Sequence, residues 1–358
     1  MRVNFLHVVG ARPNIPKLAP VFQSLAERGA TQLVAHTGQH FSPALSDDMF
    51  NDLELKQPDY NFNIGRTSVV QQMAQVMVHL ESLLKATSPS FVILYGDVNS
   101  TAAAAAAASK LHTPSVHVEA GLRSFDRSMP EEINRLVTDQ LCDYLLTTSP
   151  EAATNLAREG REAGAIKFVG NPMIDSLRRV QDSLPTMPYA NRFTTTGYGL
   201  LTLHRPSNVD YRSTRSAIIE AILECANSLP IVFPVHPRKR SEIFSSELAR
   251  HPNVHLTNPM GYKAFLSTMR DSRVIITDSG GVQEEATALS VPCLTMRPNT
   301  ERPVTMTHGT NRLVNSKTVV SALKSALAAE PKVKPMPPLW DGHAGTRIAQ
   351  HLMDLLNS

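Results

Sequence analysis

Short apolar runs alternate with helical patterns along most of this chain, and that alternation narrows the fold more than any other feature. The runs are Val3–Val9, Gln32–His36, Phe91–Tyr95, Ser115–Val118 and Tyr144–Thr147. After a gap come Gly199–Leu203, Ile231–Val235, Val254–Leu256, Val274–Thr277 and Pro292–Met296. Between them Lys17–Arg28, Val69–Lys85, Thr101–Lys110, Glu131–Leu141, Pro150–Glu159, Ser213–Asn227 and Gly281–Leu289 read as helices. Strands separated by helices pair in parallel through right-handed crossovers, so the expected class is α/β with parallel sheets. The run Ala102–Ala108 fits as a tightly packed helix, because Ala has the best helix propensity and permits close approach.

A chain of 358 residues exceeds what one hydrophobic core usually holds, so two similar domains are expected. Leu184–Gly199, with Pro185, Pro188 and Gly197, is the least ordered-looking segment between the halves, and the chain leaves the first domain near Gly170-Asn171-Pro172. The Pro-rich stretch Pro331–Pro338 precedes a last helical pattern, Thr346–Leu356, expected to pack back on the first domain. The division is thus 1–170 with 345–358, and 171–344. In doubly wound sheets ligands bind beyond the carboxyl ends of the strands, which places the expected site in an inter-domain cleft.

At 42% hydrophobic and 19% charged residues, the chain has ample core, and its formal charge of +3 is carried by scattered Lys and Arg without a basic run. Nucleic acid and anionic membranes are therefore poor partners. Cys142, Cys225 and Cys293 are far apart and flanked by apolar residues, which reads as buried free thiols in a reducing compartment and not as bridges or metal ligands. Val3–Val9 is too short for a signal peptide, and no apolar stretch reaches membrane-spanning length, so a cytoplasmic protein is expected.

The polar residues concentrate at strand ends. Thr277–Ala286 takes a strand through Asp278-Ser279-Gly280-Gly281 directly into a helix, presenting unpaired N–H groups and a positive dipole end at one point. Ser279, Gly280 and Gly281 there make a phosphate site, and Glu285, a turn later, suits a ribose diol. After the first strand, Gly10–Lys17 matches neither the dinucleotide fingerprint nor the phosphate loop, so neither NAD nor ATP follows. Arg12 and Lys17 instead put two cations at a helix start, a conflict that an anionic ligand resolves. Asp97 follows the third strand, Glu119 the fourth, and Glu131 lies a little further on, and carboxylates brought together can serve as acid and base. In the second half His204 and His236 end two strands, Arg302 adds a cation, and Phe265 can cover a flat base.

Together these residues resemble the non-hydrolysing UDP-N-acetylglucosamine 2-epimerases, which are built like the two-domain glycosyltransferases of the GT-B type. The carriers are Gly10–Pro13 with Lys17, Gly96-Asp97, His117–Arg123, Pro130–Arg135, His204-Arg205, Pro234–His236, Thr277–Glu285 and Thr300–Pro303. The resemblance implies two Rossmann-like domains and inversion at C2 of a UDP-N-acetyl-hexosamine, UDP-GlcNAc to UDP-ManNAc. The reaction it implies is anti elimination of UDP to a 2-acetamidoglucal, then re-addition, with no cofactor and no metal. Asp97, Glu119 and Glu131 would be the acid/base set, with Glu132 as a possible substitute, and His204 would assist departure of UDP. Arg12 and Lys17 would anchor substrate, Ser279, Gly280 and Gly281 hold phosphate, Glu285 the ribose, Phe265 the uracil region and Arg302 the far side of the cleft, with His236 a further contact. The resemblance also implies a homodimer without nucleic-acid or membrane partners.

The departures matter. Pro13-Asn14-Ile15-Pro16-Lys17 stands where many relatives have Pro-Glu-Ala-Ile-Lys, and His204-Arg205-Pro206-Ser207-Asn208 replaces the frequent His-Arg-Arg-Glu. Gly10–Pro13 also occurs in relatives acting on diacetamido-uronic acid sugars, so these motifs do not fix the individual sugar. Gln39-His40 matches a pair seen near an activating second site in some bacterial relatives. The alternatives are a hydrolysing epimerase, a 2-epimerase of a related UDP-acetamido sugar, a GT-B glycosyltransferase, and a non-catalytic UDP-sugar sensor.

Overall fold

Every strand pairing among the described residues is parallel, in two sheets of seven and six strands. The structure is a computed structural model that describes residues 3–38, 43–65, 67–235, 239–330 and 335–358. Its contacts divide the chain into two units, Met1–Val180 with Pro338–Ser358, and Gln181–Pro337.

The first unit runs β1 (Phe5–Val9), α1 (Ile15–Ala26), β2 (Gln32–His36), α2 (Pro43–Asp52), β3 (Tyr60–Asn61), α3 (Val69–Thr87) and β4 (Phe91–Tyr95). It continues through α4 (Asn99–Lys110), β5 (Ser115–Ala120), α5 (Pro130–Leu141), β6 (Tyr144–Thr147), α6 (Pro150–Arg158), β7 (Ile166–Phe168) and α7 (Pro172–Gln181). The second runs α8 (Pro188–Arg192), β8 (Gly199–Thr202), α9 (Pro206–Val209), α10 (Arg212–Ser228), β9 (Ile231–Pro234), α11 (Lys239–Leu248) and β10 (Val254–Thr257). Then come α12 (Tyr262–Arg270), β11 (Val274–Thr277), α13 (Gly280–Ala288), β12 (Cys293–Met296), α14 (Val304–Thr307), β13 (Asn311–Val314) and α15 (Val319–Ala328). Finally α16 (Ala344–Asn357) returns to the first unit.

Central strands such as β1 and β4 are buried along their whole length, which is why they read as continuous apolar runs. β3, β7 and β13 were not expected from the sequence. All three are edge strands, and β3 is exposed and only two residues long, so none needs an apolar run. The alanine helix α4 is almost wholly buried and packs between α3 and α5, as its composition suggests. Cys142, Cys225 and Cys293 are buried free thiols.

The unit division falls at Val180 and Gln181, one helix beyond the expected 170/171, because α7 is bound into the first unit. Ser176 Oγ donates to the Pro16 carbonyl at 2.5 Å, and Asp175 accepts the Gly345 N–H at 2.7 Å. The returning segment is anchored by Trp340, whose Nε1–H donates to the Thr148 carbonyl at 2.9 Å. α16 crosses α1 so closely that a Cβ on Gly345 would lie 2.6 Å from the Pro20 carbonyl oxygen.

Strand order places the chemistry. In the first sheet the order is β3-β2-β1-β4-β5-β6-β7, and in the second it is β10-β9-β8-β11-β12-β13. Each reverses direction at its centre, between β1 and β4 and between β8 and β11. Crevices beyond the carboxyl ends of the strands form at such switch points. The loops carrying Arg12 and Asp97 flank the first switch point, with Glu119 on the next strand. The loops carrying His204 and Ser279 flank the second.

Candidate active site

Glu119 is a tightly constrained acid of the first unit. It is buried, its φ is +78°, and the pairing of β5 with β6 slips between Val118 and Ala120 around it. A left-handed glutamate in a strand costs about 1–3 kcal/mol and persists only where its surroundings enforce it. Lys17 Nζ donates to its Oε1 at 2.8 Å, with both side chains buried. Gly96 makes room for that pair, since its φ is +65° and a Cβ there would lie 2.9 Å from Lys17 Nζ. Asn14 locks the neighbouring loop: its Oδ1 accepts the N–H groups of Gly10 and Ala11, and its Nδ2 donates to the Tyr95 carbonyl at 2.8 Å. A glutamate at this position could not make the last bond, so the departure at Asn14 has a structural use.

Asp97 and Glu132 share Arg135. The guanidinium reaches Asp97 Oδ2 and Glu132 Oε2 at 2.5 Å each, from the buried face of α5. Glu132 also accepts the N–H and Oγ–H of Ser124 and the N–H of Phe125, each at 2.9 Å. Burial pushes the Glu132 carboxyl up, but the bonds from Arg135 and Ser124 outweigh it and hold it below its usual range. Glu132 is thus committed to the loop before α5 and is not available as a substitute acid. Glu131, in the first turn of α5, is half-buried and makes no side-chain hydrogen bond among the described residues. Arg12 is half-buried at the switch point, its pKa drawn down by burial against the attraction of Asp48.

The second unit is organised by Asp278. Fully buried at the end of β11, it accepts the Arg205 N–H at 2.9 Å and Asn208 Nδ2 at 3.0 Å, and pairs with His204 Nδ1 at 3.1 Å. Burial would raise its carboxyl, but the His204 ring, the Arg205 N–H and the Asn208 amide outweigh that and lower it. His204 is thereby fixed through Nδ1 while 39% of its side chain stays exposed. An aspartate that orients an imidazole in this way is a common device at acid–base and binding sites.

Ser279 precedes α13 and makes no side-chain cap, so its hydroxyl does not close the helix N-terminus. Gly280 behaves differently from expectation. A Cβ there would lie 2.4 Å from Arg302 Nη1 and 2.6 Å from Glu301 Oε1, so the glycine admits buried side chains of its own protein. Arg302 is 5% exposed, bonded to Glu301 and 3.1 Å from Glu284, and Arg297 closes the network on Glu301 at 2.7 Å. It backs the helix terminus rather than lining an open surface. Glu285 is buried one turn into α13, and Phe265 on α12 is half-buried.

Residues 23–353 match the model of the family described as UDP-N-acetylglucosamine 2-epimerase. The chain belongs to the UDP-N-acetylglucosamine 2-epimerase family. It is similar to the UDP-N-acetylglucosamine 2-epimerase of Methanocaldococcus jannaschii, 38% identical over 358 residues, covering 96% of this chain and 97% of that protein. It is similar to the UDP-2,3-diacetamido-2,3-dideoxy-D-glucuronate 2-epimerase of Pseudomonas aeruginosa, 37% identical over 361 residues, covering 99% and 100%. The crystal structure of the M. jannaschii enzyme in complex with UDP-GlcNAc and UDP superposes with a TM-score of 0.91 at 37% identity, covering 98% of this chain and 100% of that one. The family is one of isomerases, and its members with solved structures share the two Rossmann-like domains seen here.

Within this epimerase family member, the expected site residues fall into two groups, one in each unit. Arg12, Lys17, Asp97, Glu119 and Glu131 belong to the first, and His204, Phe265, Ser279, Gly280, Gly281, Glu285 and Arg302 to the second. Lys17 differs most from expectation, because its ammonium is taken by Glu119. His236 and the pair Gln39-His40 lie outside the described residues. Asp139 was not singled out from the sequence, and Asp278 was read only as part of the turn before α13, not as the partner of His204. For Asp139 the signal was the spacing Glu132, Arg135, Asp139, which lies along one helical face.

No helix among the described residues is long and apolar enough to cross a membrane.

Proposed function

We propose that this protein interconverts UDP-GlcNAc and UDP-ManNAc by anti elimination of UDP across C1–C2 and re-addition to the 2-acetamidoglucal. In the forward direction a base takes the C2 proton, the C1–O bond breaks, and the electron pair of the C1–O bond leaves with UDP. UDP then returns to C1 while a proton arrives on the opposite face of C2. Inversion therefore needs groups able to exchange a proton on both faces, and Asp97, Glu119 and Glu131 are the candidates. The observation that carries the reading is Glu119 held at a register slip of β5 with φ +78°, with Asp97 on the adjoining strand end. The C2 proton is weakly acidic, so stabilising the departing UDP anion must supply much of the driving force. The N-terminus of α13, with Ser279, Gly280 and Gly281, suits the diphosphate, backed by Arg302, and His204, oriented by Asp278, would assist departure. Glu285 would take the ribose hydroxyls, Phe265 the uracil region and Arg12 the sugar portion.

NMR of the protein incubated with UDP-GlcNAc in D2O tests this directly. UDP-ManNAc carrying deuterium at C2 is expected. Free N-acetylmannosamine would replace the reading with a hydrolysing epimerase, and an unchanged substrate would remove it. The same incubation with UDP-2,3-diacetamido-2,3-dideoxy-D-glucuronate covers the sugar of the P. aeruginosa relative, whose identity to this chain is nearly as high.

The protein is also expected to act as a homodimer in the cytoplasm. Val70 and Val78 on α3 are 77% and 62% exposed, and Ile133 and Val137 on α5 are partly exposed, apolar surface of the kind that a second copy covers. Light scattering giving a monomer mass at micromolar concentration would remove the dimer.

A further inference from the structure

Asp139 lies in the last turn of α5, fully buried, and takes no part in the chemistry proposed above. Its Oδ1 meets His117 Nδ1 at 2.6 Å. Its Oδ2 accepts the Gly121 N–H at 3.0 Å and lies 2.7 Å from Arg123 Nη1. On the other side of the imidazole, His117 Nε2 meets the Gly96 carbonyl oxygen at 2.7 Å. Gly96 immediately precedes Asp97, and His117 and Gly121 stand two residues to either side of Glu119. One buried carboxylate is therefore bonded, directly or through one ring, to both turns that carry the acids.

A simple anchor for α5 would need less. Arg123 alone could neutralise Asp139, yet that guanidinium is also held by Glu159, at 2.8 Å and 2.6 Å. Burying a carboxylate costs several kcal/mol unless it is well bonded, and here the compensating bonds converge on the two functional turns. Glu119 also needs an external constraint, because its left-handed backbone is unfavourable by itself. The bonds at His117 and Gly121 clamp the strand on both sides of it.

We infer that Asp139 is a positioning residue that fixes Asp97 and Glu119 relative to one another, through His117 and Gly96 on one side and Gly121 on the other. The inference rests on the proposed acid/base role of those two residues. It makes Asp139 necessary for turnover although it touches no substrate.

The test is a double-mutant cycle on turnover of UDP-GlcNAc. Asp139→Ala is expected to lower kcat by about 10–10²-fold with KM changed less than about threefold, since misplacing an acid/base group costs chemistry more than binding. Asp139→Asn should restore most of the loss, because its amide can donate to His117 Nδ1 while its carbonyl accepts from Gly121. In a Glu119→Gln background Asp139→Ala should cost less than it does alone, because only Asp97 is then left to misplace. A full multiplicative loss there would overturn the inference and leave Asp139 a stabilising residue only. Where Asp139→Ala does not fold, His117→Asn decides. It severs the Gly96 arm alone and should be non-additive with Asp97→Asn, and additive losses overturn the inference. Amide hydrogen exchange reads the clamp without substrate, so the inference can be judged even if UDP-GlcNAc is not turned over. Exchange should quicken by about tenfold or more relative to β1 at residues 96–99 and 119–123 in Asp139→Ala, and at residues 96–99 in His117→Asn, and unchanged exchange overturns the clamp.

Discussion

Lys17 Nζ donates to Glu119 Oε1 at 2.8 Å, with 4% and 1% of the two side chains exposed. A lysine at the start of a helix suggests an anion anchor, but this one is spent on a carboxylate of its own unit. Its charge offsets that of a buried acid. Removing one partner of a buried pair typically costs about 3–5 kcal/mol, whereas removing both can be close to neutral. Lys17→Met is therefore expected to lower Tm sharply and abolish turnover, and Lys17→Met with Glu119→Gln to recover Tm but not activity. Thermal unfolding beside an epimerase assay reads both. A Lys17→Met variant of normal Tm whose only defect is a raised KM would return the lysine to the role of substrate anchor.

The adjacent acids Glu131 and Glu132 should separate cleanly. Glu131→Gln is expected to lower kcat by roughly 10²-fold or more, the usual scale for an acid–base group, without changing stability. Glu132→Gln should instead destabilise the protein, because Arg135, Ser124 and Phe125 all depend on that carboxylate. Near-normal turnover in Glu131→Gln would take it out of the acid/base set.

How far the site could be read from the sequence follows from which residues obey the hydrophobic pattern. The central strands do, and their carboxyl ends locate Asp97, Glu119, His204 and Ser279 once a parallel sheet is assumed. α5 does not. Its buried face carries Glu132, Asn134, Arg135 and Asp139, while Ile133 and Val137 are partly exposed. Periodicity turns apolar residues inward, so a helix with a polar core face hides its most important contacts from that reading. Gly96 and Gly280 show a second limit. Gly280 reads as room for a ligand, and both it and Gly96 turn out to admit charged side chains of their own unit, Arg302 and Lys17. A glycine reports that something approaches closely, and only the structure says what.

Gly280→Val sharpens that distinction. A ligand-clearance role predicts lost UDP affinity in a fully stable protein. The structure instead places the new side chain against Arg302 and Glu301, so overpacking of about 1–3 kcal/mol should accompany the loss of affinity. Calorimetry with UDP and a thermal melt should both shift. A variant that keeps the wild-type Tm while losing UDP affinity would show that the Arg302 network yields at no cost and that clearance for ligand is what the glycine serves.

Asp175 offers a test by pH. It is buried in α7 and bonded to the Gly345 N–H at the start of α16, and burial pushes its carboxyl up to about 6 from 3.8, against the pull of that bond. A carboxyl with a raised folded-state pKa holds its proton more tightly in the native state than in the unfolded chain. Its contribution is therefore fully present below about pH 4 and is lost as pH rises through about 6, a swing on the order of 2–3 kcal/mol. This is opposite in sign to Asp139 and Asp278, whose bonds lower their carboxyls, so their contributions are lost as pH falls. Asp175→Asn keeps an acceptor for Gly345 and carries no charge to bury. The variant is expected to unfold at a higher temperature than the wild type at pH 8, with the difference shrinking on acidification and vanishing near pH 4. The comparison must be of variant against wild type at each pH, because the other buried carboxylates shift both proteins equally. A constant difference across that range would mean that Asp175 affects stability through packing alone, and a destabilised variant at pH 8 would mean that its charge is stabilised by the helix N-terminus more than burial opposes it.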